Sequence, residues 1–413
     1  MAPRLQAPRG TFDVLSDDAL KRRELHRRAW AVIGRAGYRP FETPVLEDTE
    51  LFRRGVGDST DIVRKEMFCF EDQGGRSLTL RPEGTAPVCR AYVEHGMHRL
   101  PQPVKLWYWG PFFRHERAQA GRYRQFAQVG IEALGSDDPS LDAESVLLLA
   151  ELLEAAGVKG ARLKLSSLGS RASREAYLAE LQGYLREHEG ELSEEVRGRI
   201  TQNPLRAFDA THERTRAVMA GAPRLLDRLA PEDAEHFAEV RELLDDAGLG
   251  YEVDPTLVRG LDYYTRTVFE FESDRLGAQS GVGGGGRYDG LVEELGGPAT
   301  AGVGWAAGIE RILLASESRF PRTPRPVFVA IDAAGARRAA FGLVTALREA
   351  GVRSEVEQAG RSLKGQMKHA ARIEARAVAI VGEGIEWRDM DSGEQRPVSG
   401  VQEAVRIAVG LAA

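Results

Sequence analysis

Two runs of β-suited residues, Val104 to Phe113 and Arg122 to Leu134, flank the short, turn-like stretch Arg117 to Gly121. Runs so close in sequence can pair only as an antiparallel hairpin, because a parallel partner needs a crossover of a dozen residues or more. The hairpin is long, rich in aromatics and tryptophan-bearing, so it must lie in a sizeable sheet with helices on at least one face. Its polar residues recur at alternating positions. Strand parity puts Arg114 with Glu116 on one face, and Gln128, Gly130 and Glu132 together on one face of the return strand. Taken singly, each of these is explained as well by a solvated outer face.

Other elements arrange themselves around this hairpin. Asp17 and Asp18 open a helix from Ser16 that can run to Gly37, and Pro139 starts another that stops before Gly157. Residues 38 to 46 read as extended, as does the stretch 257 to 271. Residues 171 to about 250 are charge-rich and helical in period, broken at Asn203-Pro204 and Ala222-Pro223, and read as a helical insertion. Three prolines and three arginines from Arg319 to Pro326 form a linker. Beyond it strands and helices alternate: strand Val327 to Ile331, helix 334 to 350, helix 361 to 374, strand Ala377 to Val381. The division expected is therefore 1–325, with its insertion, and a separate α/β domain at 326–413.

Composition narrows the partners. The net charge of −6 gives no bulk attraction to polyanions, so any nucleic-acid contact must rest on local basic patches. Arg361, Lys364, Lys368 and Arg372 are spaced to line one helix face, which suits either RNA or solvent. The two cysteines, Cys69 and Cys89, have no CxxC spacing, so a disulfide scaffold or a cysteine metal site is not expected. With no apolar leader and no membrane-length run, a cytoplasmic chain without membrane contact is the expectation. No lysine precedes a serine or threonine, which excludes a P-loop. Gly281, Gly283 and Gly286 satisfy GxGxxG, but so glycine-rich a run matches many patterns by chance; between that reading and a flexible or closely packed loop, a segment where substrate approaches bare backbone is preferred.

Several segments together resemble a known family. Gly37-Tyr38-Arg39-Pro40-Phe41-Glu42-Thr43-Pro44, the hairpin, and Gly302 to Arg311 resemble motifs 1, 2 and 3 of class II aminoacyl-tRNA synthetases. Arg81-Pro82-Glu83-Gly84-Thr85, Arg259-Gly260-Leu261-Asp262-Tyr263-Tyr264-Thr265 and Gly285-Gly286-Arg287-Tyr288-Asp289-Gly290-Leu291 resemble segments peculiar to histidyl-tRNA synthetases. The resemblance implies an α+β catalytic domain on an antiparallel sheet, a C-terminal α/β anticodon-binding domain, and a homodimer. It implies activation of L-histidine by ATP with Mg²⁺ and transfer to tRNA(His), with no protein-bound metal.

The same resemblance assigns residues. Arg114, Glu116, Arg122 and Arg311 would hold ATP, and Arg259 would join Arg114 at the reacting phosphate. Guanidinium suits that work because it stays charged and bonds bidentately. Glu83, Thr85 and Gln128 would accept from the substrate ammonium, and Tyr263 would wall the pocket. A neutral imidazole has one donor and one acceptor, roles that Glu132 and Tyr264 complement. Arg259 and Tyr264 fall on opposite faces of a regular strand, so this geometry requires a bend near Gly260. Arg117, Gln119, Arg361, Lys364 and Lys368 would touch tRNA. Ala118, Ala120 and Ala127 depart from the family's usual residues and leave acceptor-end contacts open. Three rivals stand beside this reading: a histidine-sensing regulatory subunit of ATP phosphoribosyltransferase, another class II synthetase, and a dinucleotide oxidoreductase. Intact motif arginines with a C-terminal domain argue against the first, the Arg259 to Thr265 segment against the second, and the weakness of the glycine signal against the third.

Overall fold

The computed structural model describes residues 4–57, 60–116, 121–277 and 279–411, in two compact units, Met1–Pro321 and Arg322–Ala413. The first is built on an eight-stranded sheet. From one edge its strands are Arg39–Pro40, Val104–Phe113, Gln125–Leu134, Gly302–Gly308, Gly281–Arg287, Thr265–Glu272, Arg162–Ser167 and Glu252–Val253. Only the two edge pairings are parallel. The hairpin forms as expected, in a register that sets Leu106 opposite Glu132 and Gly110 opposite Gln128. Its return strand begins at Gln125 rather than Arg122, and its first strand ends at Phe113, so Arg114 and Glu116 leave the sheet and strand parity does not govern them.

Alternation along the return strand divides the interior in two. Val129, Ile131 and Ala133 face helices Ser16–Arg35, Pro139–Ala155 and Pro231–Asp246, whose Leu25, Val146, Leu149, Phe237 and Val240 fill one core. On the other face Tyr108, Tyr263, Tyr264 and Tyr288 pack with helix Thr85–Glu94 and with Tyr177, Leu181 and Leu185 of helix Arg171–Glu187. Residues 171 to 250 are helical as read, yet they have no core of their own. Their first and last helices complete the two cores of the sheet.

The stretch 257 to 271 departs from expectation. Thr265–Glu272 is a strand, while 257 to 264 turn through a bend at Gly260-Leu261, so the bend required between Arg259 and Tyr264 is present. It is pinned by the Asp262 amide on the Val56 carbonyl and by the Asn203 amide, 2.9 Å from the Asp262 carboxylate. Just beyond it Arg266 adopts φ +44°, outside the range that L residues favour, and is held there by its backbone pairing with Leu168 and Gly169 and an ion pair to Asp233 at 3.0 Å.

The glycine strand Gly281–Arg287 lies antiparallel to both neighbours, with no helix following it in a crossover, which removes the dinucleotide-binding reading. Its glycines are steric necessities. A Cβ on Gly285 would sit 2.0 Å from the Gly304 carbonyl oxygen, and one on Gly284 would sit 2.5 Å from that of Phe269.

The second unit holds a five-stranded sheet in the order Ser354–Val356, Val327–Ile331, Ala377–Val381, Ile385–Asp389, Gln395–Val398, the first three parallel. Helices Arg337–Glu349 and Val401–Gly410 cover one face and Leu363–Arg372 the other. Burial on both faces explains why its central strands are continuous apolar runs. Among the described residues no helix is long and apolar enough to cross a membrane.

Candidate active site

The end of the hairpin, the bend at Gly260, the glycine strand and the start of helix Ile309–Ala315 enclose a cavity of about 490 Å³. Arg114, Arg122, Arg259 and Arg311 all line it, together with Glu116 and Gln128. Arg114 is aimed by a hydrogen bond from its Nε to the Pro82 carbonyl at 2.9 Å, and its guanidinium lies 5.4 Å from the Phe126 ring centroid. Glu116 accepts from Arg122 at 3.0 Å and lies 3.8 Å from Arg114, so it braces both cations. Arg311 donates from Nε to the Gly281 carbonyl at 2.6 Å and also to the Gln279 carbonyl. Burial, and then the like charge of Arg122, pull its pKa below the ordinary guanidinium value. Gln128 presents a buried Oε1 with no hydrogen-bond partner among the described residues. An orphaned acceptor in such a place calls for a donor from a ligand.

Arg259 is held by an ion pair to Glu270, and its buried Nε has no partner among the described residues. Glu270 can take this position because Gly281 on the adjoining strand lacks a side chain: a Cβ there would lie 2.0 Å from its Oε1. Two further residues close the cavity from the 204 to 209 turn, Arg206 and Asp209, paired at 2.6 Å.

Next to this cavity a polar cluster is buried inside the aromatic core. Glu132 is completely buried and accepts three hydroxyls, from Tyr288 at 2.6 Å, Thr85 at 2.8 Å and Tyr108 at 3.3 Å. Burial pushes its pKa up to about 8, against the pull of those hydroxyls. Glu83 sits at the N-terminus of helix Thr85–Glu94, where its carboxylate accepts the Thr85 and Ala86 amides at 2.8 and 2.9 Å and the Tyr263 hydroxyl at 3.3 Å. Its pKa too is raised by burial, with those amides and Arg114 opposing. Tyr263 and Tyr264 pack at a tilt of 57° with ring centroids 4.8 Å apart. Burial raises the Tyr264 hydroxyl, and the neighbouring charge of Arg259 holds it back.

The expected residues thus divide into two layers. Arg114, Glu116, Arg122, Gln128, Arg259 and Arg311 share the open cavity. Glu83, Thr85, Glu132, Tyr263 and Tyr264 lie behind it, with the Thr85 hydroxyl proton committed to Glu132. Sequence reasoning missed Glu270, Arg206, Asp209, Tyr108 and Tyr288. Tyr288 lay inside a quoted motif, and Glu270 alternates with Phe269 and Phe271; no local signal marked Arg206 or Asp209, which the turn of a distant segment delivers. Arg287 of the same motif is a packing residue, fully buried and paired with Asp142. The Ala127 amide donates to Glu310 at 3.1 Å, and Glu310 also receives Arg22 at 2.6 Å. Arg117, Ala118, Gln119 and Ala120 lie outside the described residues. In the second unit Lys364, Lys368 and Arg372 are exposed on helix Leu363–Arg372, but Arg361 is not on that helix. It precedes the N-cap Ser362, which accepts from the Gly365 amide, and pairs with Glu357 at 3.1 Å. The basic stripe is one residue shorter than its spacing suggested.

An arginine-lined cavity adjoining a buried cluster of carboxyls, hydroxyls and aromatic rings suits the joining of an anionic small molecule to a nucleotide. A model of the family described as histidyl-tRNA synthetase matches residues 10–312. The chain belongs to the histidyl-tRNA synthetase family. The histidine–tRNA ligase of Desulforamulus reducens is 48% identical over 402 residues, covering 95% of this chain and 96% of that protein. That of Rubrobacter xylanophilus is 48% identical over 409 residues, covering 95% and 96%. The apo histidyl-tRNA synthetase of S. aureus superposes with a TM-score of 0.81 at 35% identity, over 98% of this chain and 100% of that one. As a histidyl-tRNA synthetase family member the chain is an ATP-dependent ligase: histidine is activated to histidyl-adenylate with release of pyrophosphate, then transferred to the 3′ end of its tRNA.

Proposed function

We propose that the two layers divide the adenylation step between them, the arginine cavity holding ATP and the buried compartment reading histidine. The observation that carries this is the junction at Arg259, which faces the cavity while its charge acts on Tyr264 beneath it. Activation brings a carboxylate onto the α-phosphorus, so negative charge grows where two anions already meet, and fixed cations must offset it. Arg114 and Arg259 approach that phosphate from opposite walls. Arg122 and Glu116 steady the triphosphate side, and Arg311 takes its far end. The orphaned Gln128 oxygen accepts the substrate ammonium, with Glu83 and the Thr85 lone pairs behind it. Glu132 and Tyr264 flank the imidazole.

Mg²⁺ enters on the triphosphate, whose oxygens and waters suit it. The cavity carboxylates offer it no ready cage, since Glu116, Glu270 and Asp209 each pair with an arginine and Glu310 is taken by Ala127 and Arg22. A homodimer, and life in the cytoplasm, belong to the same reading. Strand Arg39–Pro40 forms a sheet edge, and Trp30 and Leu46 nearby expose about half their surface, 52% and 43%.

Anticodon binding falls to the second unit, through Lys364 and Lys368 with Arg361 beside them. That unit has its own cores and is separable. Deleting residues 322 to 413 should therefore leave histidine-dependent pyrophosphate exchange intact while weakening tRNA charging. Every phosphate of a single-stranded loop that the truncated protein no longer neutralises should also flatten the log–log salt slope by about 0.7. Loss of exchange in the truncated protein, or unchanged tRNA affinity, would contradict this division.

A further inference from the structure

The hairpin arm that carries Arg114 and Arg122 runs past the end of its sheet. Strand Gly302–Gly308 accompanies the return strand only as far as Gly308 opposite Gln128, and the hairpin's own ladder ends with Phe113 opposite Gln125. Beyond Gln128, toward the tip of the arm, two amides are met by groups from elsewhere. Ala127 donates to both carboxylate oxygens of Glu310 at 3.1 Å, and Arg124 donates to the Gly10 carbonyl at 2.7 Å. The Arg124 carbonyl in turn receives the Arg114 amide at 3.0 Å, so one residue links the N-terminal segment to Arg114. That segment is shaped for the contact. Pro8 to Thr11 form a tight turn, closed by the Thr11 amide and hydroxyl on the Pro8 carbonyl at 3.0 and 2.7 Å. Gly10 takes the third position of the turn with φ +86°, where L residues are strained, and a Cβ there would lie 2.8 Å from Arg124 Cγ. Phe12 then sets its ring 4.5 Å from that of Tyr123, which lines the cavity, with the Arg22 guanidinium 5.6 Å from the Phe12 centroid. Arg22 is the cation that pairs with Glu310. Phe12 stays 40% exposed and belongs to neither core of the sheet, so its ring contact is with the arm and not with the interior.

We infer that residues 8 to 12 form a strap that steadies the arm where its sheet ends, and that Gly10 and Phe12 are positioning residues for Arg114 and Arg122. The inference rests on the ATP role proposed for those two arginines. Fixed cations offset charge at a reacting phosphorus without reorganisation only if the backbone that carries them is already held. A misplacement of roughly 1 Å, caused far from the chemistry, can cost about 10²-fold in rate. The strap's bonds and ring contacts fall on residues 22, 123 and 124, whereas Glu132 is held by Thr85, Tyr108 and Tyr288. Its loss should therefore be felt by ATP and not by histidine.

The test measures pyrophosphate exchange and single-turnover adenylate formation in full-length Phe12→Ala, Phe12→Tyr, Gly10→Ala and Arg114→Ala, with histidine affinity by calorimetry in the absence of ATP. Phe12→Ala and Gly10→Ala should raise the KM for ATP about tenfold and slow adenylation by about ten- to a hundredfold, with histidine affinity within about twofold of the parent's. Phe12→Tyr keeps the ring and should behave as the parent does. Parent-like adenylation in both Phe12→Ala and Gly10→Ala, beside a slow Arg114→Ala, would overturn the strap alone. Parent-like adenylation in Arg114→Ala would overturn the ATP reading and the strap with it. Equal losses of ATP and histidine binding in the two strap variants would also overturn the proposal, since they would make the segment a support of the whole fold.

Discussion

Glu132→Ala should lower kcat/KM for histidine by about 10⁴ while leaving ATP binding nearly unchanged. A site built to pair a ring N–H discriminates by about 10⁴–10⁵ because its own polar groups are stranded when the partner is missing. Glu132 is the deepest such group here, and three hydroxyls converge on it. Alanine would orphan those hydroxyls as well, at about 1–3 kcal/mol each, so Glu132→Gln is the cleaner companion, keeping an acceptor and removing the titrating proton. Calorimetric affinity for histidine is the readout. Affinity equal to the parent's in Glu132→Ala would remove Glu132 from the pocket.

The same carboxyl predicts a pH dependence. Its folded pKa, about 8, is raised above the ordinary carboxylate value of 4.5 by burial. Between those limits the native state keeps a proton that the unfolded chain has released, so the stabilisation it gives is complete below pH 4.5 and fades as pH rises through 8. The slope from this one group is about 1.4 kcal/mol per pH unit, and Glu132→Gln should flatten the stability profile by that amount over the window. Histidine affinity should move oppositely at the acid end, falling as the free imidazole protonates near pH 6 to 6.5. An imidazolium would present an N–H where the Tyr264 hydroxyl is to donate, and a protonated Glu132 would bring no charge to balance it.

Arg259→Ala should slow adenylation by roughly 10²–10³ or more with little change in the KM for histidine, by analogy with loss of one preorganised transition-state donor. The geometry adds a reason. Arg259 is held in place by Glu270 before substrate arrives, so no reorganisation is needed as charge develops. Rapid-quench measurement of the adenylate isolates that step. An unchanged single-turnover rate would mean that Arg259 does not reach the reacting phosphate.

Local chemistry carried much of the architecture. The hairpin, the helix after Pro139 and the strands Val327–Ile331 and Ala377–Val381 were legible because alternation, turn residues and apolar runs are short-range signals. Convergence of Arg114, Arg122, Arg259 and Arg311 on one cavity was legible only through motif order, since these residues span almost two hundred positions. What escaped depends on contacts distant in sequence. The bend at Gly260 was needed by the site but invisible to β propensity, which favours strand through Tyr263 and Tyr264. Arg361 fell off its helix because Ser362 is the better N-cap, a local competition that spacing alone does not weigh. The hydroxyl cage around Glu132 draws Thr85, Tyr108 and Tyr288 from three separate segments, and Arg206 arrives from the insertion. Nothing near those residues in the chain announces where they will meet.

The most direct test of the account is amino-acid-dependent exchange of pyrophosphate into ATP, run on the purified chain with each of the twenty amino acids and with Mg²⁺ present or chelated. The arginine cavity over a compartment built around Glu132 and Tyr264 predicts exchange with histidine alone, and only with Mg²⁺. Comparable exchange with threonine, proline or glycine, or none with any amino acid, would contradict it.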